Sequence, residues 1–153
     1  MLALASDFVG ITLKKIIMDY FDQKGIAYKD YGTYDTEVCD YPIYALKAAN
    51  AVASGECERG IVFCGTGVGI SIAANKVNGI RCACCSEPYS AKMATEHNNA
   101  NMLALGTRVV GGEFAKMIVD AWLEAKFLGQ QHQKRIDMIA MIERDGTIGC
   151  DIP

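Results

Sequence analysis

The stretch Gly60-Ile-Val-Phe-Cys64-Gly-Thr-Gly-Val-Gly69 decides the reading of this chain. Its first five residues are apolar throughout, as expected of a parallel strand covered on both faces. Its last five hold three glycines and run straight into a helical pattern over Ile70–Lys76. Such a turn lets the backbone bend tightly and come close to a ligand, because glycine has no Cβ to hold it off. The N–H groups at the start of the helix then face an anion or a developing negative charge. The plainer reading is a tight strand-to-helix turn with no ligand at all.

Working outward, the same grammar recurs: a short apolar run, a glycine or polar turn, then a helical period. Met1–Ala5 reads as a strand, and Ile11, Leu13, Ile16, Ile17, Tyr20 and Phe21 follow at helical spacing with Gly25 as a stop. Ile26–Tyr31 is a second strand. Asp40 and Pro42 open an alanine-rich helix that ends at Ser54-Gly55. After the Gly60–Cys64 strand come a fourth, Ile80–Cys85, a helix from Pro88 to about His97, and a fifth strand over Asn101–Leu105. Phe114–Phe127 is a long helix with Trp122, and Gln131–Arg144 a last one. We expect residues 1–144 to form one domain and Asp145–Pro153 a loose tail.

Five strands alternating with helices predict a single-domain, Rossmann-like, doubly wound α/β fold: a parallel sheet with helices on both faces. The expected strand order is 2-1-3-4-5. Its crevice opens beyond the carboxyl ends of strands 1 and 3, where the order reverses. Ser6-Asp7-Phe8 and Cys64-Gly-Thr-Gly-Val-Gly69 are delivered there, which favours a ligand over an empty turn. The loop is not GxGxxG, because the third glycine position is Ile70. It is not a phosphate-binding P-loop, which needs Gly-Lys-Ser/Thr. Nor is it the Cys-x5-Arg loop of cysteine phosphatases, and Cys64 stands where a response-regulator receiver carries aspartate.

Composition narrows the class further. The 153 residues are 51% hydrophobic and 22% charged, enough for one ordinary globular core. Fifteen basic against eighteen acidic side chains leave a net charge of −3. That balance argues against nucleic-acid or anionic-membrane partners, which need a basic patch. No apolar run approaches the ~18 residues of a membrane span. The start of the chain lacks a basic leader and reaches an acid at Asp7, so the expected location is cytoplasmic. Seven cysteines at positions 39, 57, 64, 82, 84, 85 and 150 suggest no metal set: neither histidine lies at ligand spacing from a cysteine. Six of them read as small buried hydrophobes.

Cys64 is the exception. At the end of a buried strand, facing N–H dipoles, its setting favours a thiolate that could take a proton from carbon or attack an electrophile. A buried structural cysteine is the alternative. His97, in Thr95-Glu-His-Asn-Asn-Ala-Asn101, is a second proton-transfer candidate, or else a capping or surface histidine. Asp7 could cap the helix after strand 1 or bind a sugar hydroxyl. Arg108 and Arg135 are candidate anion partners, with solvated ion pairing as the default for any single arginine. We expect Cys64, Thr66, Asp7 and His97 to converge on one crevice.

Ser6-Asp7, Asp40-Tyr-Pro42, Cys64-Gly-Thr-Gly-Val-Gly-Ile-Ser-Ile-Ala-Ala-Asn-Lys76, Glu96-His-Asn98, Asn101 and Gly106-x-Arg-Val-Val-Gly111 together resemble the ribose-5-phosphate isomerase B family, which includes the galactose-6-phosphate isomerase subunits. The resemblance runs from residue 1 to about 144. It implies a metal-free, cofactor-free aldose–ketose isomerase of a sugar or sugar phosphate, working through a cis-enediolate. By resemblance Cys64 is the base between C1 and C2, Thr66 assists at the hydroxyls, and the N–H groups of Gly65, Thr66, Gly67, Val68 and Gly69 stabilise the enediolate. His97 opens the sugar ring, while Asp7 and Asn98 bind hydroxyls. The resemblance also implies a homodimer with sites assembled from both subunits, and leaves open a dimer of dimers.

Two positions depart from the family where the phosphate should bind. The usual Asp-His-x-Gly is here Asp7-Phe8-Val9-Gly10, and the usual Gly-Gly-Arg-His-x-x-Arg is Gly129-Gln-Gln-His-Gln-Lys-Arg135, so Gln131 replaces an arginine. Arg108 and Arg135 remain. A lost charge-assisted hydrogen bond costs ~1.5–3 kcal/mol, so two losses would weaken phosphate binding about 10²–10⁴-fold. Phe8 is better suited to stack on a sugar face. The expectation therefore includes a different sugar, a hexose phosphate or an unphosphorylated one, and also a module that binds sugar phosphate without chemistry. Asn99 stands where the family often has aspartate, with no evident consequence in the sequence.

Overall fold

The computed structural model of the chain describes residues 1–149. Five strands and six helices alternate: β1 (Leu2–Ser6), α1 (Ile11–Lys24), β2 (Tyr28–Asp30), α2 (Tyr41–Ala53), β3 (Arg59–Cys64), α3 (Val68–Ala74), β4 (Cys82–Cys84), α4 (Pro88–Asn98), β5 (Met102–Gly106), α5 (Gly112–Glu124) and α6 (Gln131–Asp145). The punctuation acts where the sequence places it. Gly25 ends α1 in the left-handed conformation at φ 68°, and Asp40 precedes α2 with proline in its first turn. The tail expected from residue 145 lies, from residue 150 onward, outside the described residues.

All strand pairs are parallel, and the sheet order is β2-β1-β3-β5-β4. The expected order of the last two strands is thus reversed. Burial gives the reason. Met102, Leu103, Ala104 and Leu105 of β5 are wholly buried, whereas the three residues of β4 grade from buried to exposed. The continuously apolar strand takes the interior place and the short one the edge. Asn75 fences that edge, its amide exchanging hydrogen bonds of 2.7 and 2.8 Å with the backbone of Cys82.

Right-handed crossovers then fix which face each helix covers. The moves β1→β2 and β4→β5 run one way across the sheet, so α1 and α4 share a face. Their Leu13, Ile17, Phe21, Ala91 and Ala94 join Ile118 and Trp122 of α5 in one core. The moves β2→β3 and β3→β4 run the other way, so α2 and α3 share the second face through Ala45, Ala48, Ala49, Ile70 and Ala74. In the expected order α4 would lie on the wrong side. Cys82 and Cys85, spaced as Cys-x-x-Cys, fall in opposite cores and make no pair.

Each end of the sheet is braced by a cation, buried at the carboxyl end and half-buried at the amino end. At the carboxyl end, the Lys14 ammonium donates to both oxygens of Asp30 at 2.7 and 2.9 Å and to the Thr33 carbonyl at 2.6 Å. Burial lowers the proton affinity of Lys14, and Asp30 pulls it back up. At the amino end, the Arg59 guanidinium lies 3.5 Å from the Trp122 ring centroid and donates to Thr95 Oγ1 at 2.7 Å and the Trp122 carbonyl at 2.9 Å. Burial draws its pKa down to about 10.

Candidate active site

The loop after β3 is shaped by close backbone contacts. Gly67 opens α3 at φ 80°, and a side chain there would meet Cys84 Sγ and the backbone of Leu105 at 3.0 Å. Across from it, a Cβ on Gly106 would come within 2.5 Å of the Thr66 backbone. Glycine on both sides lets β5 and the loop touch, so the loop cannot drift from the strand. Thr107 and Arg108 tie it down further by donating N–H groups to the carbonyls of Cys64 and Gly65 at 2.9 and 3.0 Å.

Within that frame Cys64 is 5% exposed, and its Sγ accepts the Gly67 N–H at 3.1 Å. Thr66 is exposed, and its Oγ1 accepts from Val68 N–H at 3.3 Å. Among the described residues the N–H groups of Gly65, Thr66 and Gly69 have no acceptor. The thiol therefore sits beside unused donors, the arrangement that stabilises an oxyanion. Asp7 is buried, and its Oδ1 accepts from Val9 at 3.0 Å and Gly10 at 2.7 Å. That oxygen shapes the turn into α1, while Oδ2 makes no hydrogen bond among the described residues. Phe8 is half-buried beside it. The Arg108 side chain lies alongside Gly65, with Nε 3.9 Å from where a Cβ would stand. Tyr41, which the sequence presents only as part of a motif, puts its ring against Gly69.

Burial raises the Cys82 thiol pKa strongly and pushes Cys85 up to about 11. Of the six expected to be buried, Cys57, Cys82 and Cys85 are, Cys39 is half-buried, Cys84 is exposed, and Cys150 lies outside the described residues. Cys84 ends the edge strand, where one flank has no neighbouring strand. Burial and then the nearby Cys64 raise its pKa.

The expected single crevice is not formed within one chain. His97 ends α4, and a helix leading into a parallel strand delivers its last turn to the strand's amino end. Neighbouring Thr95 bonds Arg59, the first residue of β3, and the Asn98 carbonyl accepts from Arg81, just before β4. With ~3.3 Å per residue, the five residues of β5 separate this end from Cys64 by about 16 Å. His97 stacks there on His132, with Gln131 and Arg135 exposed on the same helix and Asn98 exposed at the end of α4. A cavity of about 580 Å³ also opens at this end, lined among others by Lys76, Arg81, Asn98, Ile139 and Glu143. The residues expected at the site thus fall into two separate groups. One holds Asp7, Phe8, Cys64, Gly65–Gly69 and Arg108; the other holds His97, Asn98, Gln131 and Arg135. Asn99 finds a physical role as the left-handed cap of α4 at φ 45°, a conformation asparagine tolerates well.

Donors preorganised around a thiol at the switch point of a parallel sheet suit proton transfer next to a carbonyl, and in class the chain is an aldose–ketose isomerase. Residues 2–139 match the model of the Ribose/Galactose Isomerase family, and the chain belongs to that family. It is 53% identical over 143 residues to ribose-5-phosphate isomerase B of Escherichia coli, covering 94% of this chain and 96% of the relative. The structure of Clostridium thermocellum ribose-5-phosphate isomerase B superposes with a TM-score of 0.93 at 52% identity, over 95% of this chain and 99% of that one. The Mycoplasma genitalium ribose-5-phosphate isomerase B with bound ribulose-5-phosphate gives 0.89 at 40% identity, over 94% and 96%. Among the described residues no helix is long and apolar enough to cross a membrane.

Proposed function

We propose that the chain interconverts ribose 5-phosphate and ribulose 5-phosphate, with Cys64 as the base. The observation that carries this reading is the Cys64 thiol beside the Gly67 N–H at 3.1 Å, with the unused donors of Gly65, Thr66 and Gly69 around it. The Cys64 thiolate takes the proton from C2 of the open-chain aldose. The C2–H electron pair forms the C1–C2 double bond, and the carbonyl oxygen becomes an enediolate oxyanion held by the loop donors. The hydroxyl proton passes from O2 to O1, and return of the carbon proton to C1 then gives the ketose. Each preorganised donor of this kind is worth about 3–4 kcal/mol. Thr66 assists at the hydroxyls, Asp7 through its free Oδ2 and Asn98 bind hydroxyls, and His97 exchanges the proton that opens the ring.

The two half-sites, about 16 Å apart in one chain by strand rise, are brought together by a second copy. A homodimer with two-fold symmetry sets the His97 end of each subunit against the Cys64 crevice of the other and so makes two equal sites. Arg108 then faces Arg135 across the interface, and this pair holds the phosphate with Phe8 and Gln131 beside it.

The test is aldose–ketose interconversion by the purified protein on ribose 5-phosphate, alongside hexose phosphates and unphosphorylated sugars. Efficient turnover of ribose 5-phosphate is expected, with the two arginines sufficient as anchor. Turnover of another sugar instead would show that Phe8 and Gln131 have changed the substrate. Binding without turnover of any sugar would overturn the enzyme reading.

A further inference from the structure

The imidazoles of His97 and His132 meet face to face, with centroids 4.3 Å apart and planes 6° from parallel. His132 is 8% exposed, and its proton affinity is lowered by burial, then by the facing His97 and by Arg135. The chain makes an effort to bring the two rings together. Between α5 and α6 the backbone turns through Gly129 at φ 65° and then Gln130 at φ 51°, a conformation that costs a non-glycine residue about 1–3 kcal/mol. The turn is tied to α4 by the Leu128 N–H, which donates to the Glu96 carbonyl at 3.0 Å, and it is closed by the His132 N–H on Gly129. On the opposite side Arg81 holds the carbonyls of Asn98 and Asn99 at 3.1 Å or less. The last turn of α4 is therefore clamped from two directions, with His97 against a buried flat surface.

We propose that His132 is a positioning residue for ring opening, its buried ring fixing the plane in which His97 exchanges a proton with the cyclic sugar. The proposal rests on the reading of His97 as the ring-opening residue and extends that role to the ring behind it. An imidazole gives and takes its proton along an N–H axis lying in the ring plane. A ring free to turn about its last torsion is in line only part of the time, and misalignment of this kind is costly in rate. A parallel face at van der Waals distance removes that freedom. Its lowered proton affinity makes a second positive charge against His97 harder to place there.

The test exploits a difference between the two sugars. Ribose 5-phosphate is held largely as a ring closed by its C4 hydroxyl. Ribulose 5-phosphate has its C5 oxygen esterified, cannot close the equivalent ring, and needs no opening. Single turnovers with enzyme in excess, quenched and analysed from each direction, separate ring opening from proton transfer on carbon. We expect His132→Ala to slow conversion of ribose 5-phosphate about tenfold or more, down to a rate independent of enzyme concentration. The same variant converts ribulose 5-phosphate within about twofold of the parent rate. His132→Phe, which restores a flat buried face without a titrating group, recovers most of the loss. The proposal is overturned if His132→Ala slows both directions equally, as a loosened fold would, if it slows neither, or if phenylalanine fails to rescue. His97→Asn in the same assay keeps the two readings apart. No directional split in that variant removes the ring-opening role of His97 itself. A split there, with none in His132→Ala, removes the positioning role alone.

Discussion

The two ends of the sheet fix the side chains we propose as reactive by opposite means. At the carboxyl end the backbone does the work: Gly67 and Gly106 let a loop and a strand touch, and Cys64 needs only the N–H of Gly67 to be placed. At the amino end side chains do it: His97 lies on a helix terminus and is held by the ring of His132 and by the clamp of Arg81. Backbone contacts tolerate almost no added atom, whereas a stacked pair can exchange one ring for another of similar shape. The difference predicts where substitutions are fatal and where they are graded.

The largest effect is expected at Cys64. Cys64→Ser should lower turnover about 10³-fold or more and shift the affinity for ribulose 5-phosphate by less than about threefold. Loss of binding in parallel with turnover would mean that the thiol only supports the loop. The comparison is sharpest when both ends are broken in different subunits. Cys64→Ser and His97→Asn proteins, dissociated and reassociated together, should regain about a quarter of the parent activity that depends on ring opening, read on ribose 5-phosphate. Half of the random dimers are then mixed, and each mixed dimer has one intact site. No recovery on mixing would sever the two ends from a shared site.

Gly106→Ala comes next. Its new methyl would stand 2.5 Å from the Thr66 backbone, so the loop has to move. A displacement near 1 Å is worth about 10²-fold in rate, and the overpacking costs about 1–3 kcal/mol of stability. Gly111→Ala is the control, since nothing lies within 4 Å of its Cβ position and its φ is −76°. Activity and melting temperature there should stay near the parent values.

The two bracing cations extend the contrast to stability. Lys14→Met leaves the half-buried Asp30 with no cation and should cost about 3 kcal/mol in denaturant unfolding. Arg59→Met leaves only neutral partners, the Trp122 ring, the Thr95 hydroxyl and a carbonyl, and should cost about 1–3 kcal/mol. Equal losses, or the reverse order, would show that packing of the stems rather than charge sets the stability of both ends.

The carboxyl end was legible in the sequence and the amino end was not, for reasons tied to particular residues. Glycine spacing after an apolar strand is a local signal, and Cys64–Gly69 folds as that signal implies. The place of His97 is a matter of direction: it precedes β5, so the chain reaches it before the strand has run its length. The β4/β5 exchange was readable only as a difference in apolar character, since Ile80–Cys85 and Asn101–Leu105 are both strand-like and only the second is buried along its whole length. The His97–His132 stack joins residues 35 positions apart, and no spacing rule brings them together.

That stack also carries the smallest prediction. In the folded chain burial, His97 on α4 and Arg135 on α6 all disfavour a proton on His132, so it binds one less readily than the same residue in the unfolded chain. The unfolded state therefore takes up more protons as the pH falls through the ordinary histidine range near 6.5, and stability present above that pH is lost below it. Phenylalanine at position 132 keeps a flat buried ring but has nothing to protonate. The melting temperature of the parent protein should fall further between pH 7.5 and pH 5.5 than that of His132→Phe, with the two converging at the higher pH. An identical pH slope in both proteins would mean that water reaches the ring freely, and the amino end would then owe its order to the Arg81 clamp rather than to the stack.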